Sequence, residues 1–242
     1  MARMYIEIDP LIIQMDGPLS VGTGFRRGLI QRTVERDANG FVCIPASSLK
    51  GRIRHLCEQL ARELGLHVCK APYPGSMCSA HKDRCLVCRV FGAPGRASTL
   101  YWHDANLNRD FRPIFEKSNL DYQVYSRTQV QLSRALGTAR PDHLFTSEFA
   151  IEGLCFESKV TGFLEATPIN GDESAGGYEL LLLLAGLRLV DRLGGGASRG
   201  AGWCTVKLPD EVKVDGNPIS WQKVLNNLDK LPSFGKEGTD AD

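Results

Sequence analysis

No stretch of this 242-residue chain stays apolar for long, and the longest such run, Leu180 to Leu187, is far too short to cross a bilayer. No apolar N-terminal stretch resembles a secretion signal either, so a cytoplasmic protein with no membrane partner is the expectation. Formal net charge is only +1, so any strong field must come from an uneven distribution of charge. A Walker phosphate loop is missing, because no Gly-Lys-Ser/Thr follows the late glycines, and the dinucleotide-binding order of strand, glycine loop and helix is reversed there. What remains is ordinary globular composition, 43% hydrophobic and 24% charged, in a length that suits one enlarged domain or two small ones.

Charge is indeed uneven. Residues 45 to 112 hold eleven Lys or Arg against five Asp or Glu, whereas Thr205 to Asp242 holds five cations against seven anions. A polyanion would be met by the first half; a solvated charged face is the plainer alternative.

The most informative stretch lies inside that basic half. Ile44 to Arg54 reads Ile-Pro-Ala-Ser-Ser-Leu-Lys-Gly-Arg-Ile-Arg. Pro45 disfavours helix at Ile44, Ser47 or Ser48 can cap a helix that starts there, and the free N–H groups of the first turn then lie beside Lys50. Arg52 and Arg54 add charge, while Leu49, Ile53, Leu56 and Leu60 form the apolar stripe that anchors the helix, expected to run to about Leu64. Two hydroxyls and three cations at a helix start suit phosphate; an ordinary capped surface helix is the bland reading.

Four of eight cysteines, Cys69, Cys78, Cys85 and Cys88, fall within twenty residues. Nothing argues for secretion, so disulfides are disfavoured. Cys85-Leu-Val-Cys88 has the spacing that brings two thiolates to one tetrahedral zinc, and the proline- and glycine-containing segment before it has few apolar residues to fold around. Structural zinc is expected, with His67 or His81 as substitute ligands, against free thiols in a mobile loop. Redox catalysis fits less well, because two further thiols lie close by. Cys43, Cys57, Cys155 and Cys204 sit in apolar contexts and read as core.

Elsewhere the pattern predicts a strand over residues 4 to 15 and a glycine-marked loop in which Gly17, Gly22, Gly24 and Gly28 accompany Arg26 and Arg27. A second strand is expected from Ser98 to Ala105. Residues 120 to 134 predict a projecting hairpin, on which Tyr122 and Tyr125 are candidates to stack on bases and Arg127 and Arg134 to meet phosphate. Two strands come next between Phe145 and Leu164, broken near Glu152-Gly153, and then a buried helix from Tyr178 to Leu193. Gly194 to Gly202 reads as a flexible glycine loop before a strand at Trp203 to Leu208. It is either a helix stop or a phosphate-accessible backbone offering Gly196, Ser198, Arg199 and Gly200. A final amphipathic helix is expected from Ile219 to Leu231. Strand, helix, strands, helix, strand is the order of an α+β, ferredoxin-like βαββαβ core.

Three motifs coincide in chain order: residues 44 to 54, Cys-Leu-Val-Cys-Arg-Val-Phe-Gly at 85 to 92, and Gly-Gly-Gly-Ala-Ser-Arg-Gly-Ala-Gly at 194 to 202. Together with Ser126-Arg-Thr-Gln-Val-Gln-Leu-Ser-Arg134, they resemble the RAMP superfamily, and more narrowly the repeated palm-and-thumb backbone subunit of type III CRISPR effector complexes. The resemblance spans roughly residues 4 to 208. It implies a palm of about 4–64, 98–117 and 149–208, a zinc-bearing insertion of about 66–92, a thumb of about 118–148 and a C-terminal helix and tail from 209. It implies guide RNA, target RNA, other RAMP subunits arranged head to tail and a large polymerase-like subunit as partners. Ser47, Ser48, Lys50, Arg52 and Arg54 would hold guide phosphates, with Arg199 and its glycines as a second contact. Target-cutting members carry an Asp a few residues ahead of an Arg-Asp pair like Arg36-Asp37; the matching position here is Gln31, so binding without cutting is expected. Asp16, Glu35 or Asp37 could instead supply the acid. A guide-processing endoribonuclease would need a His or Tyr near the glycine loop, and Gly194 to Gly202 has neither. A zinc-stabilised interaction protein without RNA is the remaining class.

Overall fold

The fold is that of a computed structural model, which describes residues 2–78, 84–171 and 176–235. Its central sheet is built on two long antiparallel strands, β1 (Ala2–Met15) and a later partner. Along β1, Met4, Ile6 and Ile8 face the core at even positions, whereas Leu11, Ile13 and Met15 do so at odd ones. Pairing shifts register between Ile8 and Leu11, and this bulge around Asp9-Pro10 moves the apolar face from even to odd positions so that both halves of β1 bury their hydrophobes on the same side.

Next come β2 (Ile30–Arg32), β3 (Cys43–Ile44) and α1 (Ala46–Glu63), with α2 (Leu86–Phe91) after the cysteine segment. A two-residue hairpin, β4 (Gly92–Ala93) and β5 (Arg96–Ala97), leads to β6 (Leu100–Trp102), β7 (Ala105–Leu107) and α3 (Arg112–Lys117). The expected second strand is thus split in two, with His103 and Asp104 between the pieces. The long hairpin β8 (Val124–Leu132) and β9 (Ala139–Ala150) precedes β10 (Cys155–Ala166), α4 (Gly177–Arg188) and β11 (Cys204–Lys207). A last hairpin of β12 (Val212–Val214) and β13 (Asn217–Ile219) leads to α5 (Trp221–Leu225).

β1 pairs with β10 on one side and with both β11 and β12 on the other; β10 in turn pairs with β6 and β7, and β7 with β3. All of these pairings are antiparallel. α1 and α4 pack against each other over the core face, so closely that a Cβ on Gly186 would lie 2.2 Å from Cys57 Sγ. β8 and β9 form a separate sheet with β2, which runs parallel to β9. Most of the β8 side chains and the turn residues 134–138 are exposed.

Two boundaries and one burial differ from expectation. α4 ends at Arg188, where the guanidinium donates to Val206 O at 3.2 Å, and Leu189 to Leu193 continue as non-helical chain. The expected last helix is broken into β13, the one-turn α5 and a 3-10 segment, Leu228–Ser233, that contains Pro232. Cys155 is only half-buried, whereas Cys43, Cys57 and Cys204 belong to the interior. Among the described residues no helix is long and apolar enough to cross a membrane.

Candidate nucleic-acid interface and cysteine centre

The start of α1 is built differently from the sequence expectation. Pro45 occupies the cap position and neither Ser47 nor Ser48 caps the helix. Asp104, from the β6–β7 turn, takes that role, its Oδ1 accepting from Ala46 N–H at 2.7 Å; a carboxylate there is also favoured by the helix dipole. Ser48 and Leu49 N–H donate to Pro45 O at 2.9 and 3.2 Å, which leaves Ser47 N–H as the unbonded first-turn donor among the described residues. Ser47 and Ser48 line a cleft of about 600 Å³ with Gly22, Glu35, Asp37 and Asp104. Acidity at this end registers on Cys43, whose thiol is pushed up to about 12 by burial and then by Asp104, Glu35 and Asp37.

The three cations of the motif have three different environments. Lys50 is half-buried, makes no ion pair among the described residues, and is lowered from its ordinary value by burial and by the nearby Arg54 charge. Arg52 turns to the segment after α4: its Nε donates to Arg192 O at 3.1 Å and Nη2 to Asp191 Oδ1 at 3.1 Å. Arg54 turns the other way. Its Nε meets Glu58 Oε1 at 3.0 Å, Nη1 donates to Gly92 O at 3.1 Å, and Nη2 lies 3.7 Å from Cys88 Sγ. Neither arginine is free in the manner that the spacing suggests.

The glycine loop is tied down rather than flexible. Gly195 N–H donates to Ser20 O at 2.7 Å, Gly202 N–H to Pro18 O at 2.8 Å, and Leu193 N–H to Gly202 O at 2.8 Å. Gly202 has φ of 85°, and a Cβ there would stand 2.1 Å from Leu193 O, so glycine is required by both conformation and space. Arg192 braces the loop from inside, with its guanidinium over the Trp203 ring at 3.7 Å and Nη1 donating to Ala197 O at 3.3 Å. Ser198, Arg199 and Gly200 are exposed, Gly196 half-buried. Arg199 reaches the hairpin, donating to Gln129 Oε1 at 2.9 Å.

On the hairpin, Tyr125 stacks on Phe149 at 5.9 Å and lies under Arg127, whose Nη2 donates to the Tyr125 hydroxyl. Tyr122 and Arg134 are exposed. Arg26 and Arg27 lie on a separate small hairpin joined by the Gly22–Val34 and Arg27–Ile30 bridges. Gln31 is not in the cleft at the start of α1: it sits on β2, and its Oε1 accepts from Thr146 N–H on β9 at 2.6 Å. Asp16 accepts from the Thr205 hydroxyl at 3.0 Å, and Asp37 accepts from Asn39 and Phe41 N–H in a turn. Glu35 lines the cleft; its backbone pairs with Val21 and Cys43, while its carboxylate has no bonded partner among the described residues. Sequence reasoning missed Asp104 and Asp191, and also Glu148, a buried carboxylate that accepts from Val34 N–H and pairs with Arg36.

The sulfurs of Cys69, Cys78, Cys85 and Cys88 all lie within 4.8 Å of one another, with Cys69 and Cys88 at 3.3 Å. A tetrahedral Zn–S₄ site with bonds of about 2.3 Å needs sulfur separations of about 3.8 Å, so this donor set can hold a metal ion. Cys85 stands at the N-terminal cap position of α2, with no side-chain cap bond, and Cys88 lies on its first turn. Hydrogen bonding from Cys88 holds the Cys85 thiol well below the usual thiol range, and the same bond pushes Cys88 up. Arg54, Arg62 and Arg84 donate to Cys88 Sγ, Cys69 O and Cys88 O respectively, placing three guanidiniums around the cysteine cluster. His67 is not part of the four-sulfur group, and His81 lies outside the described residues.

Residues 12–205 match the family model of the RAMP superfamily, and the chain belongs to that family. It is similar to a protein from Methanocaldococcus jannaschii described as the CRISPR system Cms endoribonuclease Csm3, 26% identical over an alignment of 229 residues, with 89% of this chain and 86% of the relative covered. Its fold is also that of a chain in the cryo-EM structure of the Type III-B Cmr-beta bound to cognate target RNA, with a TM-score of 0.52 and 16% identity, covering 86% of this chain and 97% of that one.

Proposed function

We propose that this chain is a guide-RNA-binding backbone subunit of a type III CRISPR ribonucleoprotein, coating the guide and positioning target RNA without cutting it. The observation that carries the reading is the Arg52 bridge, which ties α1 to Asp191 and Arg192, the segment that leads into the glycine loop. Ser47, Lys50, Ser198 and Arg199 then belong to one braced unit, with an unpaired ammonium available for a phosphate. Arg52 and Arg54 act in it as positioning residues. The strand connectivity supports a ferredoxin-like palm over about 4–64, 98–117 and 149–208, interrupted by a thumb over about 118–148 and a cysteine insertion over about 66–92, with a C-terminal helix and tail from 209. The four cysteines suit structural Zn²⁺, which would give order to the insertion. Copies or relatives would assemble head to tail along the guide, beside a large polymerase-like subunit, because a heterologous contact that does not close makes a filament.

The non-cutting element rests on Gln31, an amide held by β9 where cutting relatives carry an acid. A second reading, target cleavage, is favoured by Glu35, whose unpartnered carboxylate lines the same cleft as Ser47. Assembling the complex on a guide and incubating it with target RNA and Mg²⁺ separates the two. Binding with intact target is expected for the wild type; target fragments that disappear in Glu35→Ala would establish the cutting alternative.

A further inference from the structure

The loop from Gly22 to Val34 reads in sequence as glycine-marked backbone near two arginines, yet it folds as a stiff hairpin. Arg27 and Ile30 exchange two backbone hydrogen bonds at 3.0 Å around a two-residue turn whose first central residue, Gly28, has φ of 58°; glycine at that position is what a type II′ turn requires. Lower down, the Thr23 and Thr33 hydroxyls bond each other at 2.7 Å and clamp Phe25 from both sides. Thr23 Oγ1 accepts from Phe25 N–H at 2.9 Å, and Thr33 Oγ1 donates to Phe25 O at 3.2 Å.

A backbone so fixed presents a phenylalanine to solvent. The Phe25 ring is 78% exposed, and Leu29 at the tip is 89% exposed. Arg26 and Arg27 beside it are exposed and form no ion pair among the described residues. Between Gly22 and Val34 the chain has three arginines and no acidic residue. An exposed aromatic face is costly unless something covers it. A second copy of this same tip would bring like charges together, whereas a base of a single strand, with its phosphates on either side, matches both the ring and the guanidiniums.

We propose that this hairpin is a base-stacking finger: Phe25 stacks on one unpaired base of a bound RNA strand while Arg26 and Arg27 hold the flanking phosphates. The inference rests on the RNA-binding reading of the chain and adds to it a contact to a base.

The test titrates the full-length chain with a short single-stranded RNA carrying one 2-aminopurine, at several salt concentrations, reading affinity and fluorescence quenching together. Phe25→Ala, which removes an exposed ring, should weaken binding about tenfold or more and lose the quenching, with an unchanged salt slope. Phe25→Tyr should keep both. Arg26→Gln should keep the quenching and lower the salt slope by about one. Wild-type affinity and quenching in Phe25→Ala would overturn the proposal, and a simultaneous loss of self-association by sedimentation would assign the tip to contact between copies instead. If the wild-type chain binds no RNA even at low salt, both this finger and the RNA-binding reading beneath it fall.

Discussion

Arg52 and Arg54 stand two residues apart in one motif, and they serve opposite sides of α1. Two helical positions differ by about 200° in direction, so when Arg52 faces the glycine loop, Arg54 must face the cysteine centre. The two regions are ordered by different means. Around the glycine loop, order comes from backbone hydrogen bonds to residues 18 and 20, from glycines that only fit without a Cβ, and from one stacked guanidinium. Around the cysteines it comes from four converging sulfurs and the arginines that face them. A sequence of three cations that suggests three phosphate contacts thus resolves into one free ammonium and two struts.

Of the two regions, the cysteine side should fail more severely when its ordering element is removed. Cys85→Ser with Cys88→Ser, or exhaustive chelation, should lower stability by several kcal/mol and unfold the insertion. Metal content by mass spectrometry and a thermal melt check this; a metal-free wild type with an unchanged melt would remove zinc from the account. On the glycine side, Gly202→Ala should cost about 3 kcal/mol through the clash with Leu193 O, whereas Gly200→Ala, with open space at its Cβ position, should cost about 1. Equal costs, read from denaturant midpoints, would mean that the loop is not held as described.

Smaller effects sharpen the contrast between the two arginines. Arg54→Ala should cost about 2 to 3 kcal/mol because Glu58, buried beside it, loses a partner. Arg52→Ala should cost about 1, since its pair with Asp191 is partly solvated. The smallest effect is that of Glu179, a buried carboxyl raised above its ordinary 4.5 by desolvation. Raised in the fold, it contributes stability that is present below 4.5 and is lost as pH rises through its folded value. Glu179→Gln should remove that part of the pH dependence of the melting temperature, and an unchanged profile would contradict it.

Much of the fold is legible in the sequence where a pattern is local. β1, α1 and β10 follow from alternation or helical periodicity, α4 from an apolar run buried on nearly every face, and the cysteine cluster from spacing. The direction of Arg52 and Arg54 is not legible, because Asp191 and Gly92 reach them through the fold. The cap of α1 escapes the sequence for the same reason: Asp104 is 58 residues from Ala46, and two serines nearby offer a local answer. Gln123, fully buried and accepting from Val42 N–H, carries no sequence signal at all. The β12–β13 hairpin does carry one. Asp215 and Gly216, both at positive φ, are the Asp-Gly pair that marks a tight hairpin between alternating strands.

On the proposed function, Lys50 meets phosphate and Arg54 does not. The salt dependence of guide-RNA affinity, measured for the wild type, Lys50→Gln and Arg54→Gln, tests it most directly. Lys50→Gln should lower the salt slope by about one, while Arg54→Gln should keep the wild-type slope and lower only the melting temperature. A reduced slope in Arg54→Gln, with none in Lys50→Gln, would contradict it.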